Sequence, residues 1–592
     1  MIIRLYSNKN EFEDIEFRSG LNVVLGEIRL KKDYERDTHN LGKSTLCQVL
    51  DFCLLKQRDK KCFLFKHEEL FRDYVFYLEL QLADGRYLTI QRGVTNPSKI
   101  SLYVSRDRGA DARELDEEGW THKRLPFEKA KSLVDGYLGY TSLQPWDYRK
   151  VVPYLLRSQV DFNDVFKPLV FRGPDKDWKP FLLHAMGFDN SVFERRYELE
   201  TEIESLKTQE SSLANSLPRG TVDSSELDAL IAIKQREVEN TQMFLDEFKL
   251  DPQDRNAVKT LVEDVDEQST ALNNQRYELR YSIAQIEKSL DKEKLLFSTT
   301  EAKKLFDEAG VLFDGQIKRS FDQLLTFNRD ITEERRSYLT DDLKDAKAEL
   351  KDVEAKLRDL DDRRSKLLSQ LTSHDAMSKY KAATNDLVES KAELETLKQR
   401  REHIGELQKV RQQIVSKQAE LAACDGEIRE NIDQVSSADQ DGLFSRLRRE
   451  FDDIVNDVVN QHGMLSVSAN SNGHAEFRAE IVNKDGISTN QDEGVTYRKL
   501  LCIAFDLALI LAHDGKGFPI FVYHDDAFGS LDNRKKESLR NVMRKCADRG
   551  VQQVVTVIDS DLPSPDFFDA DEIVLHLHDA GDDGRLFKIP EW

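Results

Sequence analysis

Apolar and polar positions along the chain change period twice. Up to about residue 190, short apolar runs alternate with helical stretches. Residues 21–25 read as a buried strand, 44–55 carry apolar residues at helical spacing, and 74–82 and 87–92 alternate as two strands joined at Asp84-Gly85. From about 192 to about 437 glycine and proline become rare. Leu343, Ala346, Leu350, Val353, Leu357, Leu360, Arg364, Leu367 and Leu371 recur at alternating spacings of three and four with one polar seam position, and Leu279, Ile283, Ile286, Leu290 and Phe297 do something similar. This predicts an antiparallel coiled coil over 191–440. Its apex is expected at 309–330, with breaks at Pro252, at Ser373-His374-Asp375 and at Pro218-Arg219-Gly220. A separate helical bundle is the alternative. Mixed α/β patterning returns over 441–592: a hairpin over 464–482 turning at Asn472-Gly473, a helix over 497–512, strands at 519–523 and 553–558, and a terminal hairpin pairing 572–577 with 586–589.

Composition narrows the class. Of 592 residues 33% are charged and 39% hydrophobic, a balance that suits long solvated helices attached to globular parts. The net charge of -22 argues against a surface built wholly for nucleic acid. A local basic cluster, Lys56, Arg58, Lys60, Lys61 and Lys66 with Arg29, Lys31 and Lys32, fits either a polyanion or an ordinary solvated face. Six cysteines without a C-x-x-C read as reduced core residues. The first residues reach charge too soon for a signal peptide, and the longest apolar run, 500–512, is interrupted by Asp506 and too short for a bilayer, so a cytoplasmic protein without a membrane span is expected.

Chemistry enters between the first strand and its helix. Gly42-Lys43-Ser44-Thr45 has the order in which a phosphate-binding loop puts its lysine on the β/γ-phosphates and its hydroxyl on Mg²⁺. Fifteen residues separate Gly26 from Gly42 where the motif has four, so about eleven, 28–38, are looped out, leaving G-E-H-N-L-G-K-S-T with Asn40. The bland alternative is that the tetrapeptide merely opens a helix. An apolar strand before it, a helix after it and an acidic strand near the other end, PIFVYHDDAFGSLD, supply the context the motif requires.

This layout resembles the SMC/RecN type of ABC ATPase over the whole chain. The resemblance implies an α/β fold: a bipartite ABC-type ATPase head of N- and C-terminal lobes (1–190 and 441–592) with an inserted long antiparallel coiled coil (191–440). It implies ATP and Mg²⁺ as cofactors. Gly26, Asn40, Gly42, Lys43, Ser44 and Thr45 would cradle phosphates, Ser44 and Asp525 would serve the metal, and Asp532, seven residues after Asp525, would be the D-loop aspartate. Asp526 stands where the family has a water-polarising glutamate, one methylene longer. The signature motif survives only as Asp492-Glu493-Gly494-Val495-Thr496, whose Gly494 and Thr496 can offer donors at a helix N-terminus. Gln159 in YLLRSQVDF is the candidate Q-loop glutamine for metal and water, against an ordinary polar loop residue. The switch histidine is missing: the chain reads T-V-I-D-S-D there.

These departures are similar to a divergent branch, the ATPases of bacterial ABC three-component systems, thought to act against phages and other mobile DNA. The expected function is slow ATP hydrolysis in which ATP-bound heads form a homodimer and the arms act on DNA or on partner proteins encoded nearby. A nucleotide-gated scaffold with little hydrolysis that controls a separate effector, and a RecN-like repair ATPase, are the alternatives.

Overall fold

The computed structural model describes residues 1–29, 41–216, 224–247, 252–293, 315–368, 374–437, 441–483 and 494–590. Most of the 28–38 insertion, Asn40, Asp492, Glu493 and the break at 218–220 thus lie outside the described residues. The chain divides into two compact units, one made of Met1–Leu199 with Glu420–Trp592 and one of Glu200–Ala419.

In the first unit the N-terminal segment supplies β1 (Ile2–Ser7), β2 (Ile15–Glu16), β3 (Leu21–Glu27), β4 (Val75–Gln81), β5 (Tyr87–Gly93), β6 (Lys99–Ser105), β7 (His122–Pro126) and β8 (Leu156–Arg157). The C-terminal segment supplies β9 (His462–Ala469), β10 (Ala475–Val482), β11 (Phe521–His524), β12 (Gln552–Ile558) and β13 (Ile573–His578). Strands from both segments build one five-stranded sheet in the order β13-β3-β12-β11-β8, and every pair in it is parallel. A parallel sheet buries both faces, which is why β3 (LNVVLGE) and β12 (QQVVTVI) are almost continuously buried, the polar Asn22, Gln552, Gln553 and Thr556 included. A six-stranded antiparallel sheet, β2-β1-β4-β5-β6-β7, uses N-terminal residues alone, and β9 pairs with β10 as the hairpin expected around Gly473, whose φ of +80° suits glycine.

The helix Val495–His513 is buried on all sides from Lys499 onward, so it runs through the core rather than along its surface. The terminal hairpin expected from 572–577 and 586–589 is not formed. β13 lies parallel beside β3, and Phe587 instead bridges Phe12 and packs against Phe63, Phe71, Tyr74 and Phe76. The apolar residues near the end serve an aromatic cluster, which a period-of-two pattern cannot distinguish from a strand.

The second unit consists of long helices. Within it Pro252–Glu293 packs on Gly315–Leu368, joined by Arg280–Glu354 at 2.8 Å and Lys347–Glu287 at 2.7 Å. Along the seam Val353 and Arg364 are buried while their neighbours Lys351, Asp352 and Arg363 are exposed. The one polar seam residue finds an acid across the pair: Arg364 meets Asp266 at 2.9 Å. The helix starting at Gly315 shows that 315–330 is helical; the rest of the expected apex, 309–314, lies outside the described residues. The helix His374–Ser437 receives both of these helices, through Arg276–Glu389, Arg364–Asn385 and the Arg400 guanidinium 3.9 Å above the Tyr281 ring.

Candidate functional site

Parallel strands put all their carboxyl ends on one side, and open α/β sheets bind ligands there. Gly26 is the penultimate residue of β3, Asp525 follows β11, Asp559 follows β12 and Ser158 follows β8. The helix Lys43–Cys53 starts at the same place from Gly42, whose φ is +99° and whose Cβ, if it had one, would lie 2.6 Å from Leu586 Cβ. Conformation and space both demand glycine there.

The first residues of that helix meet the end of β11. Ser44 Oγ donates to Asp525 Oδ2 at 2.6 Å, and Thr556 Oγ1 donates to Asp525 Oδ1 at 2.6 Å. Thr556 in turn accepts from the Asp526 amide at 2.8 Å, and Tyr523 donates its hydroxyl to the Lys43 carbonyl at 2.8 Å. Lys43 is only 5% exposed and folds over Gly26: a Cβ at Gly26 would stand 3.3 Å from Lys43 Cδ and 3.5 Å from its ammonium nitrogen. Burial lowers the Lys43 pKa, opposed by the charges of Asp525, Asp526, Asp561 and Asp559. Thr45 is half-buried one position further on.

Asp526 sits in a left-handed backbone conformation, φ +58°, which aspartate tolerates better than most residues. Its Oδ2 accepts from Lys499 Nζ at 2.8 Å. Its carboxylate lies so close to Gly529 that a Cβ there would be 2.5 Å from either oxygen. Asp532 is partly engaged. It caps the helix Asn533–Asp548 by accepting from the Lys535 amide at 3.0 Å and pairs with Lys535 Nζ at 2.8 Å; these bonds lower its pKa. Gln159 stands two residues past β8, which pairs with β11, the strand that ends at His524 just before Asp525. Gly494 and Thr496 open the helix Val495–His513; Thr496 donates to the Ser530 carbonyl at 3.4 Å, and no hydrogen bond ties either residue to Ser44 or Asp525.

Four residues that no sequence motif marks as functional, Arg157, Asp506, Lys499 and Thr556, also meet at this site. Arg157 and Asp506 are fully buried and doubly bonded at 2.7 and 2.8 Å, and Arg157 also donates to the carbonyls of Asp161, Asp164 and Val165. All five guanidinium hydrogens are used, so this one side chain holds the segment that carries Gln159. Asp506 raises the Arg157 pKa against the opposing effect of burial. The other oxygen traffic on Asp506 is His524 Nε2, donating at 3.1 Å. The sequence carries a signal for this pair: an aspartate inside the apolar run 500–512 needs a partner.

The pair Ser44 and Asp525 suits Mg²⁺, which keeps several waters and takes few protein ligands. No cluster of three or more His, Cys, Asp or Glu poised for a metal occurs among the described residues. The basic cluster is partly neutralised: Lys56 pairs with Asp51 at 2.7 Å, Arg58 with Glu68 at 3.1 Å and Arg29 with Glu27 at 2.6 Å, which favours an ordinary solvated face. Five of the six cysteines are buried, and all are free. No helix among the described residues is long and apolar enough to cross a membrane.

No curated protein matches the chain. Among solved structures it is similar to the Smc head domain with a coiled coil and joint from Pyrococcus yayanosii, at 12% identity and a TM-score of 0.34 over 94% of this chain and 92% of that one. It is also similar to the Pyrococcus furiosus Smc head domain with an extended coiled coil, bound to the C-terminal domain of ScpA, at 9% identity and a TM-score of 0.32 over 95% and 90%. The SMC head domain from Thermotoga maritima matches at 15% identity and a TM-score of 0.15 over 23% of this chain and 43% of that one. Residues 454–591 match a family described as an uncharacterised protein conserved in bacteria (DUF2326).

Proposed function

We propose that the first unit is an ABC-type ATPase head that binds ATP with Mg²⁺ and hydrolyses it slowly. The observation that carries this reading is the 2.6 Å bond from Ser44 to Asp525, which joins a phosphate-loop hydroxyl to a strand-end carboxylate beside a sheltered lysine. Lys43 would bind the β/γ-phosphates, with the Gly42 turn and the amides of the helix N-terminus around them. Ser44 and Asp525 would hold Mg²⁺, with Gln159 reaching it from the end of β8. When bound, the metal neutralises phosphate charge. Asp526 would orient the attacking water through Oδ1, the oxygen that Lys499 leaves free. Gly494 and Thr496 of a second copy would complete each site, so ATP would join two heads as a homodimer. Action on DNA or on partner proteins, in defence against phage or mobile DNA, rests on the sequence resemblance alone.

Phosphate release and sedimentation with ATP test the reading together. Asp526→Asn should lose most hydrolysis, down to a residual rate that single-turnover assays still read, while keeping the ATP-dependent dimer, and Asp525→Ala should lose the dimer as well. Equal turnover in wild type and Asp526→Asn would remove the role of Asp526. One observation favours the scaffold reading: Asp526 is both short and already ion-paired. Absence of hydrolysis by wild type, with ATP-dependent dimerisation intact, would establish that reading in its place.

A further inference from the structure

Lys499 is a cation in an awkward place. It sits in the second turn of the helix Val495–His513, where the helix dipole disfavours positive charge, and it is 8% exposed. An ammonium group in such a position needs compensation from its surroundings. Three groups supply it, all from one turn of chain: the Asp526 carboxylate at 2.8 Å, the Asp526 carbonyl at 2.8 Å and the Gly529 carbonyl at 3.4 Å. The Phe162 ring lies below the ammonium at 5.5 Å, closing the side that faces the Gln159 segment.

The same turn is strained and tight. Asp526 and Ser530 both have positive φ, at +58° and +67°, and the Asp526 carboxylate rests against Gly529, where a side chain would collide with it. A carboxylate held on one oxygen by Lys499 and against the backbone by Gly529 has little freedom to rotate, and it leaves Oδ1 without a hydrogen bond among the described residues. Fixing the rotamer matters more for an aspartate than for a longer glutamate, because the shorter side chain has less reach with which to correct its aim.

We propose that Lys499 is the positioning residue for Asp526: it fixes the water-orienting carboxylate and ties it to the helix whose N-terminus carries Gly494 and Thr496. This rests on the ATPase reading. Nucleotide engagement at that N-terminus in a second copy then bears on the carboxylate of the same chain through one side chain, so the two sites of a dimer are mechanically linked.

The test is a double-mutant cycle on the full chain with ATP and Mg²⁺. Lys499→Met keeps the length and removes the charge. It is expected to lower kcat at least about tenfold, with KM and ATP affinity within about twofold of wild type, because Lys499 touches no phosphate-binding residue. In an Asp526→Asn background the same change is expected to cost nothing further. Lys499→Arg, which restores charge, is expected to recover part of the rate. Wild-type turnover in Lys499→Met would overturn the proposal, as would a loss that adds in full to that of Asp526→Asn or appears as weakened ATP affinity. If Lys499→Met unfolds, Lys499→Arg and its double with Asp526→Asn carry the same cycle. Failure of the underlying reading looks different: wild type itself would then release no phosphate.

Discussion

Ser44 and Asp525 are 481 positions apart and share a hydrogen bond of 2.6 Å. The bond requires that the two ends of the chain form one sheet, because Ser44 follows β3 and Asp525 follows β11, with β12 between them. A site split this way exists only once the two segments have folded together.

Lys43→Ala is expected to weaken ATP binding at least about 100-fold, about 3 kcal/mol, measured by calorimetry. Lys43 is the buried cation over Gly26, and the carboxylates around it cannot replace its charge. Unchanged affinity would refute the phosphate-loop assignment.

Gly529→Ala places a methyl group where the Asp526 carboxylate now rests, 2.5 Å from both oxygens. The carboxylate must move, since the clash lies with the side chain it displaces. Hydrolysis should fall about tenfold or more with nucleotide affinity kept. Single-turnover assays beside equilibrium binding separate the two quantities, and wild-type rates would show that the carboxylate's seat is irrelevant.

Arg157→Met leaves Asp506 buried without its main cation and releases the three carbonyls that Arg157 holds. Removal of one partner of such a pair costs about 3–5 kcal/mol. The urea midpoint should therefore drop strongly. A change under about 1 kcal/mol would mean that the network is not a structural tie.

His513 gives a pH signature. Burial lowers its pKa to about 4; Arg446 and His184 push the same way, and the hydrogen bond to the Ala185 carbonyl opposes them. The unfolded chain takes up this proton near the ordinary histidine value, so stability falls as pH drops through that range and rises as pH increases. Between pH 7 and pH 5 the loss is about 2 kcal/mol. Denaturation of His513→Gln at the two pH values should show a fall smaller by that amount, and an identical fall would exclude His513 as the source. The ring also stacks on Phe518 at 3.9 Å, so the variant's stability at pH 7 is the reference for the comparison.

Periodicity and local motif chemistry were legible in the sequence. The apolar run of β3, the Asp84-Gly85 and Asn472-Gly473 turns and the helix 497–512 all depend on near neighbours in the chain, and the structure has each of them; of the seam it buries Val353 and Arg364, while Phe297 and Leu371 lie outside the described residues. Gly42-Lys43-Ser44 was readable as a string of adjacent residues that opens a helix, and the helix Lys43–Cys53 begins there. The polar seam position Arg364 stood out as an exception to its own pattern.

Tertiary structure alone decided the partners of buried charge. Nothing near Lys499 in the chain announces that it will reach Asp526, and nothing near Arg157 points to Asp506, since such pairs are chosen by strand order and helix packing. The final residues show the same limit: their apolar pattern fitted a hairpin, but β13 found a better neighbour in β3 and Phe587 a place among aromatic rings. A sequence carries the period of each element, whereas which buried polar group meets which is settled only when distant elements exclude water together.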